Sequence, residues 1–159
     1  MKVFISHQKA DALVAHRVAG RLHDVHGIPS YLDVIDPYIE GTAEGLADHI
    51  RIEMSKCTQL LAVVSTATLA SQWVPWEVGV ATEKNFPLAT YTGTYTLPPE
   101  FLRKWPYLKN DMDLDAYARV SKSAVTYRES FRKYSADSAA AARSSTSHFF
   151  TELRRSIGQ

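Results

Sequence analysis

The amino-acid sequence predicts an α/β fold of the flavodoxin-like type, a three-layer sandwich around a five-stranded parallel sheet in the order 2-1-3-4-5. Two observations predict it. Segments with strand-like and helix-like hydrophobic spacing alternate over roughly the first 110 residues, with short connections between them. Residues 60–64 are apolar throughout, which is typical of a parallel strand buried on both faces. Extra helices are expected at the C-terminus.

The first elements follow from local patterns. A short strand is predicted over residues 2–6, and the apolar residues from Ala10 onwards then recur at helical spacing. Gly27 and Pro29 end that helix, because glycine favours a helix C-cap and proline cannot continue a helix. A second strand is predicted over residues 30–34.

The later elements continue the alternation. They are a second helix after Thr42, a third strand over 60–65, a helix from Trp73 to about Lys84, a fourth strand over 86–91 and a weak fifth strand near 106–108. From Leu114 the pattern predicts one or two further helices. We therefore expect a core domain over residues 1–114 and a C-terminal helical extension over residues 115–159 that packs on the same domain.

The composition excludes several classes of protein. A chain of 159 residues forms one domain of ordinary size. Its 18 basic and 17 acidic side chains leave no strong field for a nucleic acid or an anionic membrane, so neither is expected as a partner. The single cysteine, Cys57, excludes an intrachain disulfide, and no segment has the pattern of a signal peptide or membrane span. We therefore expect a cytoplasmic protein.

The most informative segments lie at the carboxyl ends of the first and third strands. Ser6, His7 and Gln8 follow or end the first strand, while Trp73 and Glu77 belong to the helix after the third. Ligands of this fold bind at that edge, beside the point where the strand order reverses. A spacing of four residues puts the indole and the carboxylate on one helix face, near the N-terminus, where the helix dipole favours an ionised acid. We predict an open crevice there that suits a partly cationic, polyhydroxylated ligand such as a nicotinamide nucleotide.

Three segments resemble the Toll/interleukin-1 receptor (TIR) domain, in particular the bacterial stand-alone type of Thoeris-like antiphage systems. They are residues 3–7, residues 31–33 with the loop that continues to Gly41, and residues 71–77, which are similar to the family's Ser-x-Trp-Cys-x-x-Glu signature. Their order and spacing agree over roughly the first 110 residues. The sequence departs from the signature at Val74, where the family often has cysteine, and at Pro75, which lies in a first helical turn that tolerates proline.

Many TIR domains, bacterial and plant especially, hydrolyse or cyclise NAD⁺ with the glutamate of that signature, and others are binding modules for receptors and adaptors. The resemblance therefore indicates the fold more firmly than the activity, and our leading hypothesis is an enzyme. It assigns Glu77 as the catalytic carboxylate and Trp73 as a wall for a planar ring. The loop over residues 33–41 resembles the family's mobile loop, which gates the site and contacts neighbouring subunits. The substrate-binding residues would be Ser6, His7, Gln8, Asp33 and Trp73. NAD⁺ is then a substrate, no cofactor is expected, and the partners would be other TIR domains and a separate effector protein that responds to an ADP-ribose-type product.

The bond between nicotinamide and ribose needs little machinery for its cleavage. The pyridinium leaves as a neutral molecule, so no general acid is required, and positive charge develops on the ribose. One carboxylate shielded from water can stabilise that charge. No metal site is expected, since His23 and His26 lack a third ligand, and Cys57 lies on an apolar helix stripe as an inert thiol.

Two other functions fit the same sequence. A non-catalytic TIR–TIR interaction module keeps the fold without the chemistry, and Glu77 is then a solvated helix residue and Trp73 a core aromatic. On this interpretation His7 is a polar loop residue and Asp33 anchors the turn after the second strand. A nucleoside deoxyribosyltransferase-like enzyme shares the layout and a key glutamate, but it releases a base from deoxynucleosides.

Overall fold

The computed structural model describes residues 1–32, 43–94, 97–134 and 138–159, and within them the predicted alternation of strands and helices is present. The elements are, in chain order, β1 (Val3–His7), α1 (Ala12–Asp24), β2 (Ser30–Leu32), α2 (Ala43–Ser55), β3 (Gln59–Val63), α3 (Trp73–Glu83), β4 (Leu88–Tyr91), β5 (Tyr107–Leu108), α4 (Asp111–Tyr134) and α5 (Ser138–Ile157). Short 3-10 helices lie in the connections, over Lys9–Asp11, Thr66–Ala70 and Glu100–Leu102.

The strands form one parallel sheet in the order β2-β1-β3-β4-β5, which confirms the predicted fold class and strand order. The order reverses between β1 and β3, because β2 lies on one side of β1 while β4 and β5 continue beyond β3. In the register, Ser6 lies beside Ala62, and Ala62 lies beside Thr90. The carboxyl ends of β1, β3 and β4 therefore share one edge of the sheet.

Successive residues of each strand point to opposite faces of the sheet, and a layer of helices covers each face. On one face, Val3 and Ile5 pack with residues of α1, α4 and α5. On the other face, Phe4 packs with residues of α2 and α3. Ser6 follows Phe4 on the α2/α3 face, and His7 follows Ile5 on the α1/α4 face.

The two ends of α1 show how the sequence sets element boundaries. Gly27 has a φ of 62°, and its N–H donates to the His23 carbonyl at 2.8 Å, so the helix ends in the predicted left-handed glycine cap. The helix begins at Ala12, slightly later than expected, because Lys9–Asp11 form a 3-10 turn. The Asp11 side chain makes no capping hydrogen bond to α1.

The C-terminal helices continue directly from the core. α4 begins at Asp111, and its residues Leu114 and Tyr117 are fully buried in the core cluster that α1 and the sheet share. The expected boundary after Leu114 thus falls inside a helix. In the described part of the chain, no helix combines the length and the apolar character required to cross a bilayer.

Candidate functional site

Glu77 and Ser6 meet at the carboxyl edge of the sheet. Ser6 lies near the end of β1 and points to the face that α3 covers. Glu77 lies one helical turn after Trp73, at which α3 begins. The Ser6 Oγ donates a hydrogen bond to Glu77 Oε2. The structure therefore joins two of the segments that the sequence pattern selected.

The Glu77 side chain is buried, whereas the sequence predicted that it would face an open crevice. Glu77 is 1% exposed, and Ser6 is fully buried. The physical reason is the apolar helix face on which Glu77 lies, since its neighbours Val74, Val78 and Ala81 are all buried with it. A carboxylate in such surroundings requires hydrogen-bond donors, and Ser6 supplies one that is charge-assisted when the acid is ionised.

Trp73 is the first residue of α3, one turn before Glu77. Its indole is half-buried and meets that of Trp76 edge to face, with ring centroids 5.6 Å apart and planes at 86°. Both rings pack against the core cluster on the α2/α3 face. Such aromatic pairs contribute about 0.5–1.5 kcal/mol beyond the burial of area. Trp76 is therefore a packing residue that braces Trp73, whose partly exposed indole retains surface for contact with a ligand.

Local hydrogen bonds set the start of α3. The Ser71 Oγ accepts a hydrogen bond from the Val74 N–H at 3.1 Å, which satisfies one of the amides that the helix itself leaves unpaired. Pro75 lies in the first turn, as predicted, where an N–H would have no helical partner. The position of Glu77 thus depends on the segment that leads into the helix.

The other predicted substrate contacts have different surroundings. His7 is 5% exposed, and the alternation of β1 directs its side chain to the face opposite to that of Ser6. Gln8 is half-buried in the connection after β1. Asp33, with the loop over residues 33–41, lies outside the described residues, so its contact with substrate stays a prediction.

Asp11 is a second acid at this edge, and it was not among the predicted site residues. It follows β1 and is 7% exposed. Its Oδ2 accepts a hydrogen bond from the Ser65 Oγ at 3.0 Å, which ties the connection after β1 to the connection after β3. In the sequence, an acid directly before a helix is typical of an N-cap, so Asp11 gave no reason to expect a contact with the connection after β3. The signal that could have found it is the hydroxyl of Ser65 directly after a buried strand.

Two cavities open at opposite edges of the sheet. One of about 520 Å³ lies over the carboxyl ends of β3 and β4, and neither Ser6 nor Glu77 lines it. Its described lining combines hydroxyl groups, apolar side chains and two charged side chains, among them Ser65, Thr66, Leu69, Thr92, Glu100 and Arg103. The other cavity, of about 320 Å³, lies at the amino edge between the sheet and α4 and α5. The first cavity is at the edge where ligands of such sheets bind.

Ion pairs join α1 to α4 on the face of the sheet opposite to Glu77. Arg21 forms a bidentate pair with Asp115, with both N···O distances at 2.8 Å, and the His26 Nε2 lies 2.8 Å from the same carboxylate. The hydrogen bond from Arg21 is the main cause that lowers the pKa of Asp115 to about 2. Arg17 pairs with Asp111 at 2.6 Å. These contacts hold two helices together and are separate from the candidate site.

Most of the chain matches a known domain family. The family model for the TIR domain matches residues 3–118, a span that runs from β1 into α4 and contains Ser6, Asp11 and Glu77. No curated protein gives a significant match to the chain.

Proposed function

The chain belongs to the TIR domain family, and on that premise we propose that it is an enzyme that cleaves the bond between nicotinamide and ribose in NAD⁺. The observation that carries the proposal is the hydrogen bond from Ser6 to Glu77 at the carboxyl edge of the sheet. It puts a carboxylate beside the point where the strand order reverses, and this is where doubly wound sheets bind ligands.

In the proposed reaction the bond between C1′ and the nicotinamide nitrogen breaks, and its electron pair goes to the nitrogen. The pyridinium becomes a neutral leaving group, while positive charge develops on C1′ and on the ring oxygen of the ribose. Glu77, as an ionised carboxylate, would stabilise this charge. Water then adds to C1′ and releases one proton, which gives ADP-ribose. Attack by an adenine nitrogen in place of water gives a cyclic product.

The surrounding side chains have supporting roles in this proposal. Ser6 orients the carboxylate through its hydrogen bond. The Trp73 indole offers aromatic surface to the cationic ring one turn before Glu77, a contact worth about 0.5–2 kcal/mol. The remaining proposed contacts, with ribose hydroxyls and phosphates, are His7, Gln8 and Asp33. His7 is 5% exposed and points to the opposite face of the sheet, so its contact requires a rearrangement at the end of β1.

The burial of Glu77 adds a condition. At 1% exposure, the carboxylate meets a ribose only if the segments around it move. We therefore propose that activity depends on self-association through TIR–TIR contacts, which would shift the protein toward an open site. The proposed biological role is Thoeris-like antiphage defence in bacteria, in which the product is an ADP-ribose-type signal in the cytoplasm for a separate effector protein.

The same burial favours a second candidate function, a non-catalytic module that acts through TIR–TIR contacts alone. A carboxylate held by Ser6 beneath α3 can be an internal polar pair that never meets a ligand. This function predicts TIR partners in pull-down experiments, no release of nicotinamide and no change of Tm with NAD⁺.

The test measures nicotinamide release from NAD⁺ by liquid chromatography, with and without a crowding agent that promotes assembly. Glu77→Gln removes the charge and keeps the shape, and Glu83→Gln makes the same change at an exposed residue of the same helix. We expect Glu77→Gln to lower kcat about 10²- to 10³-fold, because a charge-stabilising group is lost, and Glu83→Gln to match the wild type.

Three outcomes would contradict the proposal. Equal release by the wild type and Glu77→Gln would reject the catalytic role of that residue. No release, together with no shift of Tm in NAD⁺, would favour the interaction module. Release of a base from deoxynucleosides but not from NAD⁺ would indicate a deoxyribosyltransferase-like enzyme.

A further inference from the structure

A run of hydrogen bonds begins at Asp11 and leads toward the helix that carries Glu77. The Asp11 Oδ2 accepts from the Ser65 Oγ at 3.0 Å. Ser65 caps the 3-10 helix that follows β3, because its Oγ also accepts from the Ala67 N–H at 3.1 Å. The Ser65 N–H in turn donates to the Thr68 Oγ1 at 3.0 Å, and Thr68 is fully buried. Asp11 thus holds the residue on which this 3-10 helix is built.

The run continues into α3. The Ser71 N–H donates to the Thr68 carbonyl at 3.0 Å, and the Ser71 Oγ accepts from the Val74 N–H at 3.1 Å. Glu77 lies within the same helix, one turn beyond the residues that these bonds fix. Each bond therefore limits where the start of α3, and with it the carboxylate, can lie.

Both ends of this run of hydrogen bonds connect to the segment formed by β1 and the residues directly after it. Asp11 follows β1 directly, and Ser6, which donates to Glu77, lies within β1. The start of α3 is therefore tied to this segment at two points, once at Glu77 itself and once through the connection that precedes the helix. These two attachments add to the packing of Val74, Val78 and Ala81 in fixing the start of the helix.

The usual role of an acid in this position does not apply to Asp11. An aspartate directly before a helix commonly caps it, yet Asp11 makes no side-chain capping bond to α1. It is also only 7% exposed, and a carboxylate removed from water is costly unless it receives hydrogen bonds. The bond to Ser65 is therefore the contact that accounts for an acid here.

We propose that Asp11 is a positioning residue for Glu77. By accepting the hydrogen bond from Ser65, Asp11 fixes the start of α3 and thereby the place of the Glu77 carboxylate. The catalytic part of this inference rests on the proposed function. A misplacement of about 1 Å at a reacting group can lower a rate about 100-fold. Loss of Asp11 should therefore lower kcat more than it raises KM, because Glu77 stabilises the transition state, whereas Trp73, which shifts with it, supplies only one stacking contact.

The kinetic test separates the hydrogen-bond acceptor from the charge. Asp11→Asn keeps an acceptor oxygen, and Asp11→Leu has a similar size and no acceptor. We expect Asp11→Leu to lower kcat for nicotinamide release about 10- to 100-fold, with KM changed less than about threefold, and Asp11→Asn to retain most of the kcat. The matched control is Asp24→Leu, at a side chain that is 77% exposed. Equal losses in both Asp11 variants, an unchanged kcat in Asp11→Leu, or a change confined to KM would overturn the proposal.

A second test does not depend on activity and measures hydrogen exchange of backbone amides. In Asp11→Leu the amides of Ala67, Ser71 and Val74 should exchange at least about tenfold faster, while the sheet amides keep their rates. Asp11→Ala also removes the acceptor without adding a larger apolar side chain, should give the same pattern, and replaces Asp11→Leu if that variant fails to fold. Unchanged exchange in this segment, or uniform acceleration over the chain, would overturn the positioning role. The expected exchange pattern in a protein that never cleaves NAD⁺ would reject the proposed function alone.

Discussion

Two buried polar pairs differ in their chemical groups and in their place on the sheet. The Tyr117 hydroxyl donates to the Gln59 Oε1 at 2.9 Å on the α1/α4 face, at the amino end of β3. Ser6 donates to the Glu77 carboxylate on the α2/α3 face, at the carboxyl end of β1. None of these four residues is more than 1% exposed. One pair is neutral and far from the ligand edge, and the other carries an acid at that edge.

This difference indicates what each pair does. A neutral pair costs little to bury once its hydrogen bond is made, and burial raises the pKa of the Tyr117 hydroxyl, which keeps it neutral. A carboxylate loses far more hydration, and hydrogen bonds offset only part of that loss. Stability therefore accounts for the Tyr117–Gln59 pair, whereas an apolar pair would serve the fold at least as well as Ser6–Glu77. An acid kept at the ligand edge is what a function would require.

The largest expected effect on the free energy of unfolding comes from the neutral Tyr117–Gln59 pair. Tyr117→Ala should lower the free energy of unfolding by about 3–5 kcal/mol, because the ring is fully buried and lies edge to face on Phe149 at 5.9 Å. Urea denaturation measures it. The matched variant Tyr117→Phe keeps the ring, loses the hydroxyl that donates to Gln59, and should cost about 1 kcal/mol. Equal losses of unfolding free energy in both variants would mean that the hydrogen bond, rather than the packing of the ring, accounts for the contribution of Tyr117.

The fold could be predicted because its signals are local. Residues 60–64 are uniformly apolar, and β3 is buried along its whole length. Gly27 stops α1 through its own backbone conformation, which needs no distant partner. β5 was only weakly indicated because it consists of Tyr107–Leu108 alone, too short for a period to be visible.

The candidate site could be predicted only in part, because its geometry depends on distant contacts. The spacing of Trp73 and Glu77 placed the acid on the correct helix, but α3 has apolar side chains on several sides, and its periodicity does not show which side meets the sheet. The burial of Glu77 was therefore missed. The contact of Asp11 with Ser65 spans 54 positions of sequence. The Ser65 hydroxyl after a buried strand is a local signal, but no local pattern shows that its partner is Asp11.

The second prediction concerns the stability of variants in the Ser6–Glu77 pair. Ser6→Ala should lower the free energy of unfolding by about 1–3 kcal/mol, because it deprives a buried carboxylate of a donor. The double variant Ser6→Ala/Glu77→Met should recover that loss or exceed the wild type in stability, since a buried carboxyl group is replaced by apolar groups of similar volume. A double variant as unstable as Ser6→Ala would show that the carboxylate supports the fold, and the contrast with the Tyr117–Gln59 pair would disappear.

A third pair extends the comparison to charges that retain contact with water. The side chains of Arg21 and Asp115 are 32% and 23% exposed. The hydrogen bond from Arg21 lowers the pKa of the Asp115 carboxyl from 3.8 to about 2. Since the folded-state pKa lies below the unfolded-state value, the pair stabilises the folded protein above about pH 4, and this contribution is lost as the pH falls through about 2. Solvent screening limits the contribution to about 1 kcal/mol.

Asp115→Asn should therefore cost about 1 kcal/mol near pH 6, and the difference from the wild type should vanish near pH 2, measured as the free energy of unfolding in urea. Asp48→Asn, at a side chain that is 69% exposed, should follow the wild type throughout. A difference that stays constant over this pH range would show that the Asp115 contact is not ionic. A cost above about 3 kcal/mol would group this pair with the buried ones, because only a desolvated charge loses that much when its partner is removed.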